Sequence, residues 1–207
     1  MAARKHEVVA RFFYEMGQLK RAERTGWWIA GVKHPETVAE HSFRVALIGY
    51  VLAQMEGADA PRTAAICLFH DLPECRLNDL HRVARRYVNL ESAEARAFSE
   101  QIGGLPQSLL NDLASLMSDF LADQSPEARL ARDADALECL IQAREYQAQG
   151  FVGVADWAEP SAASLVSKTA RALAEACLQM EPSEWWQGLK VRASRSDVGR
   201  AGPATSS

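Results

Sequence analysis

Helix starts recur along this chain, and no stretch of it alternates in the manner of a strand. Thr37-Val38-Ala39-Glu40 has the form of a capping box, a hydroxyl at the N-cap and a carboxylate three residues on, which satisfy two backbone N–H groups reciprocally. Asp59-Ala60-Pro61 and Ser125-Pro126-Glu127 each set a capping side chain just ahead of a proline, whose missing N–H costs nothing in a first helical turn. Between these signals apolar residues return every three or four positions. Val8, Val9, Phe12, Phe13, Met16 and Leu19 form one such series, and Phe43, Ala46, Leu47, Tyr50 and Val51 another. Each segment therefore has one face to bury, and with no strand pattern in sight it must bury that face against other helices. The fold class is all-α.

The punctuation divides the chain further. Helices are expected over 7–21, from Thr37 through Val51, from Pro61 to near His70, over 79–87, 92–102 and 106–121, from Pro126 to about Gln149, from Pro160 to Met180, and around 184–190. Gly26, Gly31 and Pro35 make 23–36 a loop, Gly103-Gly104-Leu105-Pro106 is a break, and Gly150 suits a left-handed helix cap. From Ala193 to Ser207 the chain has too little to bury, and disorder is expected there. The organisation expected is one domain over 1–190 and a tail over 191–207.

A chain of 207 residues with 48% hydrophobic and 24% charged side chains can close one sizeable core. Its net charge of −4 argues against a polyanion-binding surface, so no nucleic-acid polymer is expected as partner, and any anionic ligand needs a local device to hold it. The longest apolar run, 45–53, is too short to span a bilayer, and no membrane partner is expected. Residues 1–24 are basic and amphipathic, but Glu7, Glu15 and Glu23 are spaced through them, unlike a transit peptide. Cys67, Cys75, Cys139 and Cys177 show no C-x-x-C spacing. Cys67 and Cys139 lie in apolar helical runs and read as buried free thiols of a cytoplasmic protein.

The chemistry gathers where the apolar run Ile66-Cys67-Leu68-Phe69 ends in His70-Asp71. Neighbours on a helix point about 100° apart, so both can reach one ion only where the backbone turns. Pro73 disfavours helical geometry at Leu72 and supports such a turn. Glu74 follows His70 by one helical turn, adding a carboxylate that need not be a ligand. His41 stands just after the capping box. Asp135, between Ala131 and Cys139, has small neighbours that let a carboxylate point inward, although Asp133 competes and spacing barely separates the two. Asp79 suits the N-cap of the helix that follows it.

The order His … His-Asp … Asp on an all-α chain resembles the HD-domain metal-dependent phosphohydrolases. RTGWWIAGVKHPETVAEHSFRVA, HDLPECRLNDLHRV and DADALECLIQAREY are together similar to the bacterial 5′-deoxynucleotidases and related small HD-domain proteins, over roughly 12–150. The resemblance implies an HD-domain helical bundle in which His41, His70, Asp71 and Asp135 ligate one divalent cation and Glu74 is the catalytic carboxylate. Asp135 is selected over Asp133 because the family's last ligand stands two residues before the Leu-Glu that corresponds to Leu137-Glu138. Arg24, Trp27 and Asp79 are implied as substrate contacts. One departure is Gly26, which stands where the bacterial enzyme has an arginine that favours deoxyribose; Arg24 is the nearest arginine here.

The implied reaction is hydrolysis of (deoxy)ribonucleoside 5′-monophosphates to nucleoside and phosphate, by a cytoplasmic homodimer. Two imidazoles and two carboxylates suit Mn, Co, Fe, Ni or Zn. Nucleoside triphosphates would call for a long basic insert, which the chain lacks; a modified nucleotide of a specialised pathway remains an alternative substrate. A two-iron oxygenase would need more histidines between His70-Asp71 and Asp135, where only His81 stands. A non-catalytic HD domain would have lost ligands that are all present here.

Overall fold

The structure is a computed structural model that describes residues 2–187 and 189. The first half of the chain forms α1 (Ala2–Met16), α2 (Gly26–Ile29), α3 (Val38–Glu56), α4 (Ala60–Phe69), α5 (Glu74–Leu77) and α6 (Arg82–Arg85). The second half forms α7 (Leu90–Ile102), α8 (Gln107–Ala122), α9 (Pro126–Ala148), α10 (Ala155–Ser164) and α11 (Lys168–Gln179). No strand occurs among the described residues. One isolated antiparallel bridge joins Glu23 to Thr37, flanked by Arg24 N–H to the Glu36 carbonyl at 2.9 Å and Val38 N–H to the Ala22 carbonyl at 2.8 Å.

The centre is a three-helix packing of α3, α4 and α9. Val45 and Leu52 of α3, Ile66 and Cys67 of α4, and Leu130, Ala134, Leu137 and Leu140 of α9 share one buried cluster. The small residues decide how closely these helices approach: a Cβ built on Gly49 would lie 2.5 Å from Cys67 Sγ, so any larger residue there would wedge α3 from α4. A second cluster, with Phe12, Leu72, Phe98, Ile102 and Leu113, packs α1, α7 and α8 beside the turn after α4.

The three helix starts form as their sequences require. Thr37 Oγ1 accepts from Glu40 N–H at 3.2 Å while Glu40 Oε2 accepts from Thr37 N–H at 2.7 Å. Asp59 Oδ1 caps Arg62 N–H at 3.0 Å and Ser125 Oγ caps Ala128 N–H at 3.0 Å. Gly150 takes the left-handed φ of 99° just beyond α9. All four cysteines are free; Cys67 is buried, whereas Cys139, expected to be buried, is half-buried like Cys75 and Cys177.

Several boundaries differ from expectation. The first helix ends at Met16 and tightens into a 3-10 turn over Gly17–Lys20, and the 23–36 loop contains the short α2. The helix expected over 79–87 shrinks to α6, and its cap is His81, whose Nδ1 accepts from Ala84 N–H at 3.1 Å; Asp79 does not cap it. Pro160 lies inside α10 instead of starting a helix. The break falls at 165–167, where the Asp133 carboxylate draws the N–H groups of Val166 and Ser167 to 2.7 Å each and Ser167 caps α11. Among the described residues of 184–190 a 3-10 turn forms over Glu184–Trp186, and the tail expected to be disordered lies outside the described residues.

Candidate metal centre

Three elements converge on one point. The capping box sets His41 on the first turn of α3, α4 ends with His70 as its C-cap, and Asp71 follows in the turn before Pro73. Asp135 projects toward them from α9. His41 Nε2 is 3.2 Å from Asp135 Oδ1 and 3.6 Å from Asp71 Oδ2; His70 Nε2 is 3.3 Å from Asp71 Oδ2 and 4.0 Å from Asp135 Oδ1. Ligands about 2.1 Å from a common ion are about 3 Å apart at right angles and about 4 Å apart across it. His41, His70 and Asp71 bring one ligand atom each within 4.8 Å of one another, and Asp135 Oδ1 stands within reach of both imidazoles at the rim of that group.

The imidazoles are oriented for that purpose. His70 Nδ1 is 2.6 Å from the Cys67 carbonyl, and His41 Nδ1 is 2.6 Å from Glu138 Oε2. Both partners only accept, so each Nδ1 carries the hydrogen, and in the neutral ring Nε2 presents a lone pair. Both Nε2 atoms are buried and have no hydrogen-bond partner among the described residues. Unpaired buried nitrogens are costly, and a cation between them and the two carboxylates would satisfy them. The donor set fits a divalent cation.

Without an ion, protons on the imidazoles balance the carboxylates in its place. Burial and Arg24 oppose protonation of His41, but Glu138 and Asp135 outweigh them and raise its pKa to about 10. Burial works against ionisation of Asp71 and Asp135, yet the two imidazoles hold both carboxyls below their usual range. Arg24 Nη1 stands 3.5 Å from Asp71 Oδ2, and against the cost of burial the surrounding Asp71, Asp135, Asp79 and Glu74 keep the guanidinium charged. Glu74 behaves oppositely: burial, then Asp71 and Asp79, push its carboxyl well above the usual range. Its Oε2 is buried without a partner among the described residues.

Asp133 and Asp135, inseparable by spacing, have distinct places. Asp133 is buried and spent on Val166 and Ser167, whereas Asp135 faces the imidazoles; its side chain is 38% exposed, more open than an inward carboxylate was expected to be. Asp79 is buried beside the centre, 3.5 Å from Arg85 Nη2, and its carbonyl accepts from Thr25 Oγ1 at 2.7 Å. Trp27, expected to contact the sugar, is enclosed by its neighbours. It is 2% exposed, packed edge-on to Tyr146 and beside Trp157, with Nε1 donating to Glu36 Oε1 at 3.1 Å, so it offers no open ring face. A Cβ on Gly26 would meet Trp157 Nε1 at 3.2 Å, so an indole covers the place of the bacterial arginine.

Glu138 and Arg44 touch this centre and were not anticipated. Their available signals were position: Glu138 lies three residues after Asp135 and Arg44 three after His41, on the same helix faces. His81, the spare histidine a second metal would require, is committed to capping α6.

An all-helical bundle that gathers two imidazoles and the Asp71 carboxylate, with Asp135 beside the imidazoles and the partnerless carboxyl of Glu74 nearby, has the architecture of a metal-dependent hydrolase. The chain belongs to the HD-domain family, whose model matches residues 16–176. It is 32% identical over 142 residues to the 5′-deoxynucleotidase HDDC2 of Danio rerio, covering 66% of this chain and 68% of that protein. With the 5′-deoxynucleotidase HDDC2 of Homo sapiens it shares 30% identity over 140 residues, 66% and 67% of the two chains. Among solved structures, a conserved hypothetical protein from Pyrococcus furiosus superposes with a TM-score of 0.72 at 30% identity, over 83% of this chain and 99% of that one.

Proposed function

We propose that this protein is a phosphatase of the 5′-deoxynucleotidase type, hydrolysing (deoxy)ribonucleoside 5′-monophosphates to nucleoside and inorganic phosphate. The main support is the pair of buried, unpartnered Nε2 atoms of His41 and His70 facing Asp71 and Asp135, in a chain whose relatives bear that name. His41, His70, Asp71 and Asp135 would hold one divalent cation, with Mn, Co, Fe, Ni and Zn all compatible with this donor set. Such a cation supplies Lewis acidity, polarising a phosphoryl oxygen and making water a better nucleophile.

The chain's own groups do the rest. Arg24, kept charged by four carboxylates, offers N–H donors to the phosphate. In the reaction a water oxygen forms a new bond to phosphorus, the P–O5′ bond breaks, and a proton reaches O5′. Glu74, with an unpaired Oε2, is the group that takes the water's proton or delivers one to the leaving oxygen. Asp79 would accept from a sugar hydroxyl. A phosphate-release screen over deoxy- and ribonucleoside monophosphates, with each metal added in turn, tests the reading. Inorganic phosphate from dAMP is expected; silence across every monophosphate would sink it, and tripolyphosphate from dATP would replace it with triphosphate hydrolysis.

The same reading takes the protein as a cytoplasmic homodimer. No helix among the described residues is long and apolar enough to cross a membrane, and the four thiols are free. The outward side of α3 carries Phe43, Leu47, Tyr50, Val51 and Met55, each at least 44% exposed, an apolar stripe that a second copy would cover. Sedimentation should give twice the 22.8 kDa chain mass, and Leu47→Glu should return the protein to a monomer. A monomeric wild type would reject the dimer.

A further inference from the structure

The two imidazoles of the centre are held by unlike partners. His70 donates its Nδ1 hydrogen to a neutral acceptor, the Cys67 carbonyl at 2.6 Å. His41 donates to a carboxylate, Glu138 Oε2 at 2.6 Å, whose side chain is 0% exposed. An isolated carboxylate buried to that degree would be strongly unfavourable. Arg44 makes it tenable: its Nε is 2.9 Å and its Nη2 2.8 Å from Glu138 Oε1. Arg44 is fixed in turn, donating from Nη2 to Gln142 Oε1 at 2.6 Å and from Nη1 to both Glu145 oxygens at 2.8 Å. Glu138, Gln142 and Glu145 follow one another along one face of α9, the helix that also carries Asp135. The nearby carboxyl of Glu36 is engaged by the Trp27 indole. Each Glu138 oxygen thus has its own task, Oε1 for the arginine and Oε2 for the imidazole.

We propose that Glu138, clamped by Arg44, is a positioning residue that fixes the tautomer and orientation of His41 and makes it the stronger imidazole donor to the cation. The carboxylate acts in two separable ways. As an acceptor it keeps hydrogen on Nδ1 and the lone pair on Nε2; as a charge it raises the basicity of that lone pair. His70, tied to a carbonyl, has the first effect without the second. The proposal rests on the metal-centre reading and is independent of which phosphate ester the protein cleaves.

Calorimetric titration of metal-free protein with Co²⁺ tests it, comparing wild type with Glu138→Ala and Glu138→Gln. Glu138→Ala is expected to weaken Co²⁺ binding about 10–100-fold, the usual cost of losing an outer partner of a ligating histidine. Glu138→Gln removes the charge and leaves one acceptor oxygen for both Arg44 and His41, so it too should weaken Co²⁺ binding. In ¹H–¹⁵N spectra of the Zn²⁺-loaded protein, the hydrogen-bonded Nδ1–H of His41 should be protected from exchange in wild type and lost in Glu138→Ala. Wild-type Co²⁺ affinity in a folded Glu138→Ala variant would overturn the proposal, as would an unaltered His41 Nδ1–H signal. If the alanine variant does not fold, Glu138→Gln decides, and an unchanged affinity there overturns it equally. A wild type that binds Co²⁺ yet releases no phosphate from any nucleotide would remove the nucleotidase reading and leave this comparison intact.

Discussion

Asp71→Asn is expected to abolish cation binding and phosphate release together while leaving the helical fold in place. Asp71 Oδ2 is the atom on which the centre turns, 3.3 Å from His70 Nε2, 3.6 Å from His41 Nε2 and 3.5 Å from Arg24 Nη1. The amide preserves the volume but removes the charge, so two imidazoles and one remaining carboxylate must hold the ion. Loss of affinity should exceed the roughly 100-fold upper cost of removing an outer partner. The metal-free fold should tolerate the change, because Asp71 is one of the charges that repel the buried Glu74 carboxylate. Thermal melting separates these effects. At a cation concentration a hundred times Kd, wild type gains about 2.7 kcal/mol, which corresponds to about 5–10 °C for a domain of this size. The variant should gain nothing. A wild-type thermal gain in Asp71→Asn would remove Asp71 from the ligand set.

Glu74→Gln should behave in the opposite way, keeping the thermal gain from the cation and losing turnover. Its carboxyl is 5% exposed, and burial with Asp71 and Asp79 makes it hold a proton more tightly than an ordinary glutamate. A glutamine matches its shape but cannot exchange that proton. Removal of a positioned acid or base costs about 10²–10⁴-fold in rate. The loss should fall on kcat with KM little changed, because the group is needed in the transition state and not for binding. If the cation no longer stabilises the variant, Glu74 is a ligand and its assignment as the proton-transfer group fails.

The helix starts at Thr37, Asp59 and Ser125 were legible in the sequence because a cap is a local bargain between neighbours three residues apart. The turn at His70-Asp71 was legible for the same reason, given Pro73. Other features depend on residues far along the chain. Asp133 and Asp135 are alike in spacing, and what separates them is the demand of Val166 and Ser167 for an acceptor, more than thirty residues away. That demand also moved the helix break past Pro160. The partnership of Glu138 with His41 and Arg44 spans nearly a hundred positions, and no local pattern announces it. The enclosure of Trp27 by Tyr146 and Trp157 likewise joins residues more than a hundred positions apart.

The pinch between Glu23 and Thr37 has an evolutionary consequence. Because the two chain segments are pinned by backbone hydrogen bonds at 2.9 and 2.8 Å, Arg24 and the start of the helix bearing His41 keep their register whatever length of chain connects them. The tip of that connection, with Lys33 and His34, is exposed and carries neither anchor. Insertions and substitutions can accumulate there at little energetic cost. The tip can therefore diversify while Arg24 and His41 keep their places beside the centre.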